Sequence, residues 1–261
     1  MAYKSISSIS IIGAGNVATH LAIALFEKGI PIKEVWSNHP NNADLLAAKV
    51  NAKVCPNLGQ LDTDVQLVII SVKDDALLEI INRLPEGLSA IVHTSGSMDM
   101  KILKDSAPKV GVFYPLQSFN KNEPMAWTQV PICIEANNDS FADELFKLGE
   151  KLSENVQYIN STQRIQLHIA AIFANNFSNY LFSMAYDVVT KQHLPFSLLT
   201  PLIKQTADRL GNEDPFILQT GPAMRNDLKV INGHMELLKA HPEAQKVYQF
   251  ISDQIIKKAD Q

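Results

Sequence analysis

The sequence predicts an α/β domain built on a mostly parallel, doubly wound sheet, followed by an all-helical C-terminal domain. Three observations predict it. Short β-branched runs alternate with helix-spaced apolar patterns over residues 1–160, the signature of repeated strand-helix-strand units. A glycine-rich turn joins the first run to the first helical pattern. From Ser161 onward the strand pattern stops and only helical spacing continues. At 261 residues the chain exceeds the usual ~100–200 residues of one domain, so domains at 1–160 and 161–261 are expected.

Strands are expected at residues 8–12, 32–37, 52–55, 67–72, 90–93, 110–114, 131–135 and 157–159. Helical spacing lies between them at 17–28, 43–51, 75–84, 98–107 and 141–152, with Val17, Leu21 and Leu25 forming one apolar edge. Beyond the boundary, helices are expected at 162–191, 195–210, 223–239 and 242–258, with Pro195 and Pro242 at first-turn positions and Gly211 as a stop.

Composition narrows the function. Hydrophobic residues make up 46% and charged ones 19%, an ordinary globular balance. A formal net charge of −4 offers no basic field for a phosphodiester backbone, so nucleic acid is not an expected partner. Cys55 and Cys133 form no CxxC or Cys/His cluster, so neither a disulfide framework nor a metal site is suggested. The early residues Ile6, Ile9, Ile11 and Ile12 are interrupted by serines, unlike a secretory apolar core. The apolar run after Arg164 is broken by His168, Asn175, Asn176 and Asn179, short of a membrane span. A soluble, cytoplasmic protein with a small-molecule substrate is the expectation.

Gly13, Ala14, Gly15, Asn16, Val17 and Ala18 read G-x-G-x-x-A between an apolar run and an amphipathic helix. Gly13 permits the tight turn, Gly15 lets backbone approach a pyrophosphate, and Ala18 is small enough for the helix to pack on the sheet. The diphosphate of a dinucleotide would sit on free N–H groups at the helix N-terminus, making this a Rossmann domain. A carboxylate for the adenosine ribose belongs ~20 residues further on. That place holds Ser37, Asn38 and His39, so nothing repels a 2′-phosphate and two side chains can donate to one. NADP is therefore expected over NAD, although an arginine partner is missing from this stretch. The plain alternative is a turn before Pro40.

Ser71, Val72, Lys73, Asp74, Asp75 and Ala76 resemble the strand-end motif of pyrroline-5-carboxylate reductase and 3-hydroxyacid dehydrogenase relatives, which passes under the cofactor and so implicates Val72, Lys73 and Ala76. Val92-His93-Thr94-Ser95-Gly96-Ser97, then Tyr114-Pro115-Leu116-Gln117-Ser118-Phe119, then Gly221-Pro222 with Arg225 and Asp227, resemble one family: Rossmann-like proteins with a helical C-terminal domain of unknown function, labelled NADP oxidoreductases. The resemblance spans nearly the whole chain. It implies a helical domain similar to the C-terminal part of 6-phosphogluconate dehydrogenase relatives, dimeric through its helices. The family commonly carries His-Pro where this chain has Tyr114-Pro115, and a tyrosine there donates a hydrogen bond but, at an unperturbed pKa of ~10, is a poor base.

The segment leaving the fifth strand faces the reactive end of a bound nicotinamide, placing His93 and Thr94 against the cofactor and Ser95 against a substrate carbonyl or imine. A capped strand-end turn is the equal alternative. On the long helix Arg164, His168, Asn175, Asn179 and Tyr186 fall in one sector at ~100° per residue. Such a helix, apolar almost all round, is expected to be buried, so its polar stripe lines a site or joins an interhelical network. Hydroxyacid dehydrogenases carry Lys-x-x-x-Asn on the matching helix, and this helix has no such lysine. Ser95, His168 and Asn175 are thus the candidate catalytic residues. Arg225, if buried, needs an anion, which is Asp227 in a structural pair, the favoured reading, or else a substrate carboxylate or the partner subunit's chain. The expected function is NADP-dependent hydride transfer to or from a small, carboxylate-bearing substrate by a homodimer. The rival readings are a non-catalytic NADP-binding sensor or scaffold, and hydride exchange with a deazaflavin.

Overall fold

The computed structural model describes residues 6–261. The glycine turn joins β1 (Ile9–Ile12) to α1 (Asn16–Glu27), and β2 (Ile32–Trp36), α2 (Pro40–Lys49) and the short β3 (Lys53–Val54) complete one wing of the sheet. The chain then crosses to the other side of β1 and lays down β4 (Leu67–Ile70), α3 (Asp74–Ile81), β5 (Ala90–His93), β6 (Lys109–Pro115), β7 (Ile132–Ala136), α4 (Asp139–Glu150) and β8 (Val156–Tyr158). The eight strands lie in the order β3-β2-β1-β4-β5-β6-β7-β8. Every pairing is parallel except that of β6 with β7. This is the doubly wound Rossmann arrangement, in which the order reverses between β1 and β4 and leaves a crevice beyond their carboxyl ends.

The period of two along the strands sorts the core. Ile9, Ile11, Leu67, Ile69, Ala90 and Val92 pack with Leu21 and Leu25 of α1 and with Phe141 and Leu145 of α4. The intervening Ile12, Val68, Ile70 and Ile91 pack with Leu77 and Ile80 of α3. Central strands buried on both faces explain the unbroken apolar run at Leu67–Ile70 and the burial of all four residues of β1, Ser10 included.

The expected helix over 98–107 is instead a 3-10 turn, Met100–Leu103. Asp99 accepts a hydrogen bond from the Lys101 N–H, Arg164 takes the Met98 carbonyl, and Pro108 disfavours helix at the residue before it.

By packing, the chain divides into two compact units, Met1–Asn175 and Asn176–Gln261. The helical region opens with α5 (Ser161–Ala171), started by a capping box in which Asn160 and Gln163 exchange hydrogen bonds. A π-helical turn, Ile172–Phe177, leads into α6 (Ser178–Thr190). This turn breaks the expected stripe, because its wider bonding departs from the regular period of ~100° per residue on which the stripe depends. The expected burial of the helix is also not met: Phe173, Phe177, Tyr180 and Tyr186 are exposed. Within the second unit, α7 (Thr200–Asp208) is preceded by a 3-10 turn at Phe196–Leu198, and α8 (Leu228–Leu237) and α9 (Pro242–Ala259) follow. Asp227 caps α8 by accepting from the Val230 N–H at 3.2 Å. Arg225 is exposed, and no ion pair joins it to Asp227 among the described residues, which corrects the expected pair. Among these residues no helix is long and apolar enough to cross a membrane, and no His, Cys, Asp and Glu cluster could hold a metal ion.

Arg164 joins α5 to the sheet. Its side chain is fully buried, donates to Glu135 on β7 and to the Met98 carbonyl, and reaches the Ser161 hydroxyl at 3.1 Å. Ser161 in turn donates to Glu135 at 2.7 Å and accepts from the Met100 N–H at 3.0 Å. Removing one member of such a buried pair strands its partner. Arg164→Met should therefore cost about 3 kcal/mol in urea unfolding, with partial recovery in the Arg164→Met/Glu135→Gln double variant. A loss below roughly 0.5 kcal/mol, the range of ordinary surface changes, would show the network to be dispensable.

His93 is fully buried at the end of β5, and its Nδ1 accepts the Ser95 N–H at 3.1 Å, which leaves the proton on Nε2. Burial, aided by the charge of Arg164, pushes its pKa down to about 4. Above pH ~6.5 the ring is neutral folded and unfolded, and contributes nothing. As pH falls from there towards 4, the unfolded chain binds a proton that the folded chain refuses, so stability is lost, by roughly 3 kcal/mol in full. His93→Gln should flatten this part of the stability-pH curve; an unchanged slope between pH 6.5 and 4 would refute the assignment.

Candidate active site

Gly13 adopts a φ of +115°, and its N–H donates to the Trp36 carbonyl at 2.7 Å. A Cβ on Gly13 would lie 2.0 Å from the Ser71 carbonyl oxygen, so conformation and contact both demand glycine. Gly15 differs. It caps α1 in an ordinary extended conformation, with no side-chain cap and nothing within 4 Å of where a Cβ would stand. The first bond within α1 runs from the Thr19 N–H to the Gly15 carbonyl, so the N–H groups of Asn16, Val17 and Ala18 have no acceptor inside the helix. With no acidic residue in that turn, α1 presents an anion-receptive end to the open side of Gly15.

A cleft of about 630 Å³ opens there. Of the residues singled out from sequence, Gly13, Ala14, Gly15, Asn16, Val17, Ser37, Asn38, Val72, Lys73, Ala76, Thr94, Ser95 and His168 all line it. His93 does not; it is buried in β5 beside them. Asn175 does not line the cleft either and lies exposed in the π-helical turn. The remaining lining includes Trp36, Glu79, Arg83, Gly96, Tyr114 and Gln117. Of these, Tyr114 was legible in its Tyr-Pro-Leu-Gln motif, whereas Arg83 carried no sequence signal.

Hydrogen bonds fix the far end of the cleft. Thr94 donates to the Ser71 hydroxyl at 3.0 Å. The Ser95 hydroxyl oxygen accepts from the N–H groups of Ser97 at 3.1 Å and Met98 at 3.0 Å, capping the turn, and its own proton goes to the Ser97 hydroxyl at 3.4 Å, since Ser97 donates to Asp74. Tyr114 on β6 meets Nδ1 of His168 on α5 at 2.9 Å, their rings edge to face. A Cβ on Gly96 would fall 2.6 Å from His168 Nδ1 and 2.8 Å from the Tyr114 ring, so this glycine admits the pair. Burial pushes the Tyr114 phenol up to about 12, with Cys133 adding to the rise and Arg164 opposing it. Tyr114 is therefore a neutral hydrogen-bond donor across the physiological range. A second cavity, of about 610 Å³ within the helical unit, is lined mostly by apolar side chains such as Leu181, Val188, Leu237 and Ile251.

This architecture is shared with known proteins. Residues 8–92 match the family described as NADP oxidoreductase, coenzyme F420-dependent, and residues 130–255 match a domain of unknown function, DUF2520. No curated protein matches the chain. A Bacteroides fragilis protein assigned as an NADP oxidoreductase is 37% identical, superposes with a TM-score of 0.87, and is matched over 96% of this chain and 98% of its own. A Thermotoga maritima protein is 22% identical with a TM-score of 0.79, over 97% of this chain and 100% of its own. The reductive aminase of Aspergillus terreus, solved with NADPH and ethyl levulinate, shares the fold at 13% identity and a TM-score of 0.71, over 97% and 95% of the two chains. With the Rossmann cleft, the helical continuation and a full-length relative in agreement, the chain belongs to the family of NADP oxidoreductases that join an F420-dependent-type N-terminal domain to a helical C-terminal domain of unknown function.

Proposed function

We propose that this chain is an NADP(H)-dependent reductase that delivers a hydride and a proton to the C=O or C=N group of a small substrate, with Tyr114 and His168 handling the proton. The observation that carries this reading is their 2.9 Å hydrogen bond in the same cleft as the uncapped N-terminus of α1. The cleft fits the cofactor: Gly15 leaves open the space that a Cβ would fill, and the α1 N–H groups suit a diphosphate. Its volume also falls within the range of cofactor sites. Residues 13–17 would hold the diphosphate, Ser37 and Asn38 the adenosine side, and Val72, Lys73, Ala76 and Thr94 the middle. Bound NADPH supplies the hydride.

The protein's own residues supply orientation and a proton. Ser95, its oxygen already accepting two N–H groups, turns its hydroxyl proton from the long 3.4 Å bond with Ser97 to the substrate heteroatom. Tyr114, kept protonated by burial, gives its phenolic proton to that atom as negative charge develops there, and recovers one from solvent relayed through the His168 ring, which takes a proton at Nε2 as it releases one at Nδ1. Lys73 offers a cation for a substrate carboxylate. Exchange with a deazaflavin or a sensor role would make no use of a paired proton donor.

The two halves of the cleft should separate in experiment. Gly15→Ala should fold with an unchanged melting temperature yet raise the NADPH Kd at least roughly tenfold, as the methyl takes the diphosphate's place. Tyr114→Phe and His168→Ala should lower kcat about a hundredfold while leaving the NADPH Kd within roughly twofold. If turnover survives in both of those variants, the proton assignment fails.

The same reading includes a homodimer through the helical unit. Leu198, Leu202, Ile217, Leu237 and Phe250 are each at least 60% exposed in the isolated chain, more apolar surface than a monomer usually leaves to water. Light scattering at micromolar concentration should give twice the 28.9 kDa chain mass. A mass of one chain up to high micromolar concentration would contradict it.

A further inference from the structure

The cleft contains a cation that no motif announced. Arg83, two residues beyond the last residue of α3, lines it together with Ser37, Asn38 and His39 at the end of β2. Its guanidinium carbon lies 5.4 Å from the centroid of the Trp36 ring, and Trp36, the last residue of β2, is only 5% exposed. One nitrogen of Arg83 donates to Glu79 at 3.1 Å, one turn earlier. Both side chains of that pair are well exposed, at 43% and 71%, so the bond between them is weak and easily exchanged.

Resting on the NADP(H) reading of the cleft, we infer that Arg83 receives the adenosine 2′-phosphate, with Trp36 holding its plane and Glu79 serving as the counter-ion that the phosphate displaces. The end of β2 offers Ser37 and Asn38, which can donate but carry no charge, and a phosphate dianion needs a cation as well. Lys73, the other lysine or arginine lining the cleft, stands at the opposite end of α3. A guanidinium can use two surfaces at once, because its face packs on an indole while its N–H edge stays free for phosphate oxygens. Ser37 can join it, since its oxygen accepts the His39 N–H at 3.2 Å and leaves the hydroxyl proton for an incoming acceptor. The arginine expected just after β2 is thus supplied by a neighbouring element.

The inference is tested by calorimetric titration of the purified full chain with two ligand pairs, NADPH against NADH and adenosine 2′,5′-bisphosphate against 5′-AMP. Wild type should favour the 2′-phosphorylated member of each pair. Arg83→Ala should weaken that member roughly tenfold or more and its partner less than about threefold, as loss of a charge-assisted hydrogen bond predicts. Arg83→Lys should keep part of the preference, and Glu79→Gln should tighten the 2′-phosphorylated ligands about two- to fivefold by removing the competing carboxylate. Melting temperatures of all variants report folding, and Arg83→Lys and Glu79→Gln keep the test open if Arg83→Ala is unstable. Equal losses for both members of a pair, or an undiminished preference in Arg83→Ala, would overturn the assignment of Arg83 while leaving the cofactor reading intact. Absence of binding by NADPH and NADH to wild type would instead remove the cofactor reading itself.

Discussion

Arg164 is the constraint around which the site is built. A guanidinium with no exposure has to be met by groups that replace water, and here three separate pieces of chain do so: Glu135 from β7, the Met98 carbonyl from the segment after β5, and Ser161 from the first turn of its own helix. That demand fixes the rotation of α5 against the sheet. Residues four apart share a helix face, so once Arg164 is turned inward His168 follows it and arrives at Tyr114. The same charge reaches further, reinforcing the neutrality of His93 and moderating the rise of the Tyr114 phenol.

Three glycines then shape the cleft, each for its own reason. Gly13 is required by backbone conformation and by the Ser71 carbonyl, Gly96 by the side chains of Tyr114 and His168, and Gly15 by no contact within the protein. A glycine that nothing in its own chain explains points outward, to something that approaches the backbone from the open side. The resulting cleft has two chemically distinct ends. One offers uncapped N–H groups and a weakly held arginine to negative charge. The other holds a neutral phenol bonded to an imidazole, together with a serine hydroxyl whose own proton is held only by a long bond to Ser97. The groove thus keeps its anion-receptive end apart from its phenol-imidazole pair.

The helical unit follows a different logic. The long helix that leads into it is apolar in composition yet exposed over much of its length in the isolated chain, and a π-helical turn interrupts its period. The polar groups spaced along it therefore serve separate purposes. Arg164 and His168, before the turn, belong to the sheet and its cleft, while Asn175, within it, lies in the open.

Much of this was legible in the sequence, because it depends on local chemistry. The strand-helix alternation, the glycine turn, the missing carboxylate after β2 and the change to helices after residue 160 all reflect periods and backbone preferences that act over a few residues. The residues expected against the cofactor, His93 apart, do line one cleft, since each lies at or just beyond the carboxyl end of its strand and a parallel doubly wound sheet brings those ends to one edge. The features that lay beyond the sequence involve partners far apart in the chain. The meeting of Tyr114 with His168 across 54 residues, the pairing of Arg164 with Glu135, and the arrival of Arg83 beside Trp36 are set by strand order and helix rotation. The exposed long helix and its π-helical turn were missed for a related reason: a periodicity argument assumes one regular helix and an environment that composition implies, and only tertiary packing decides whether either holds.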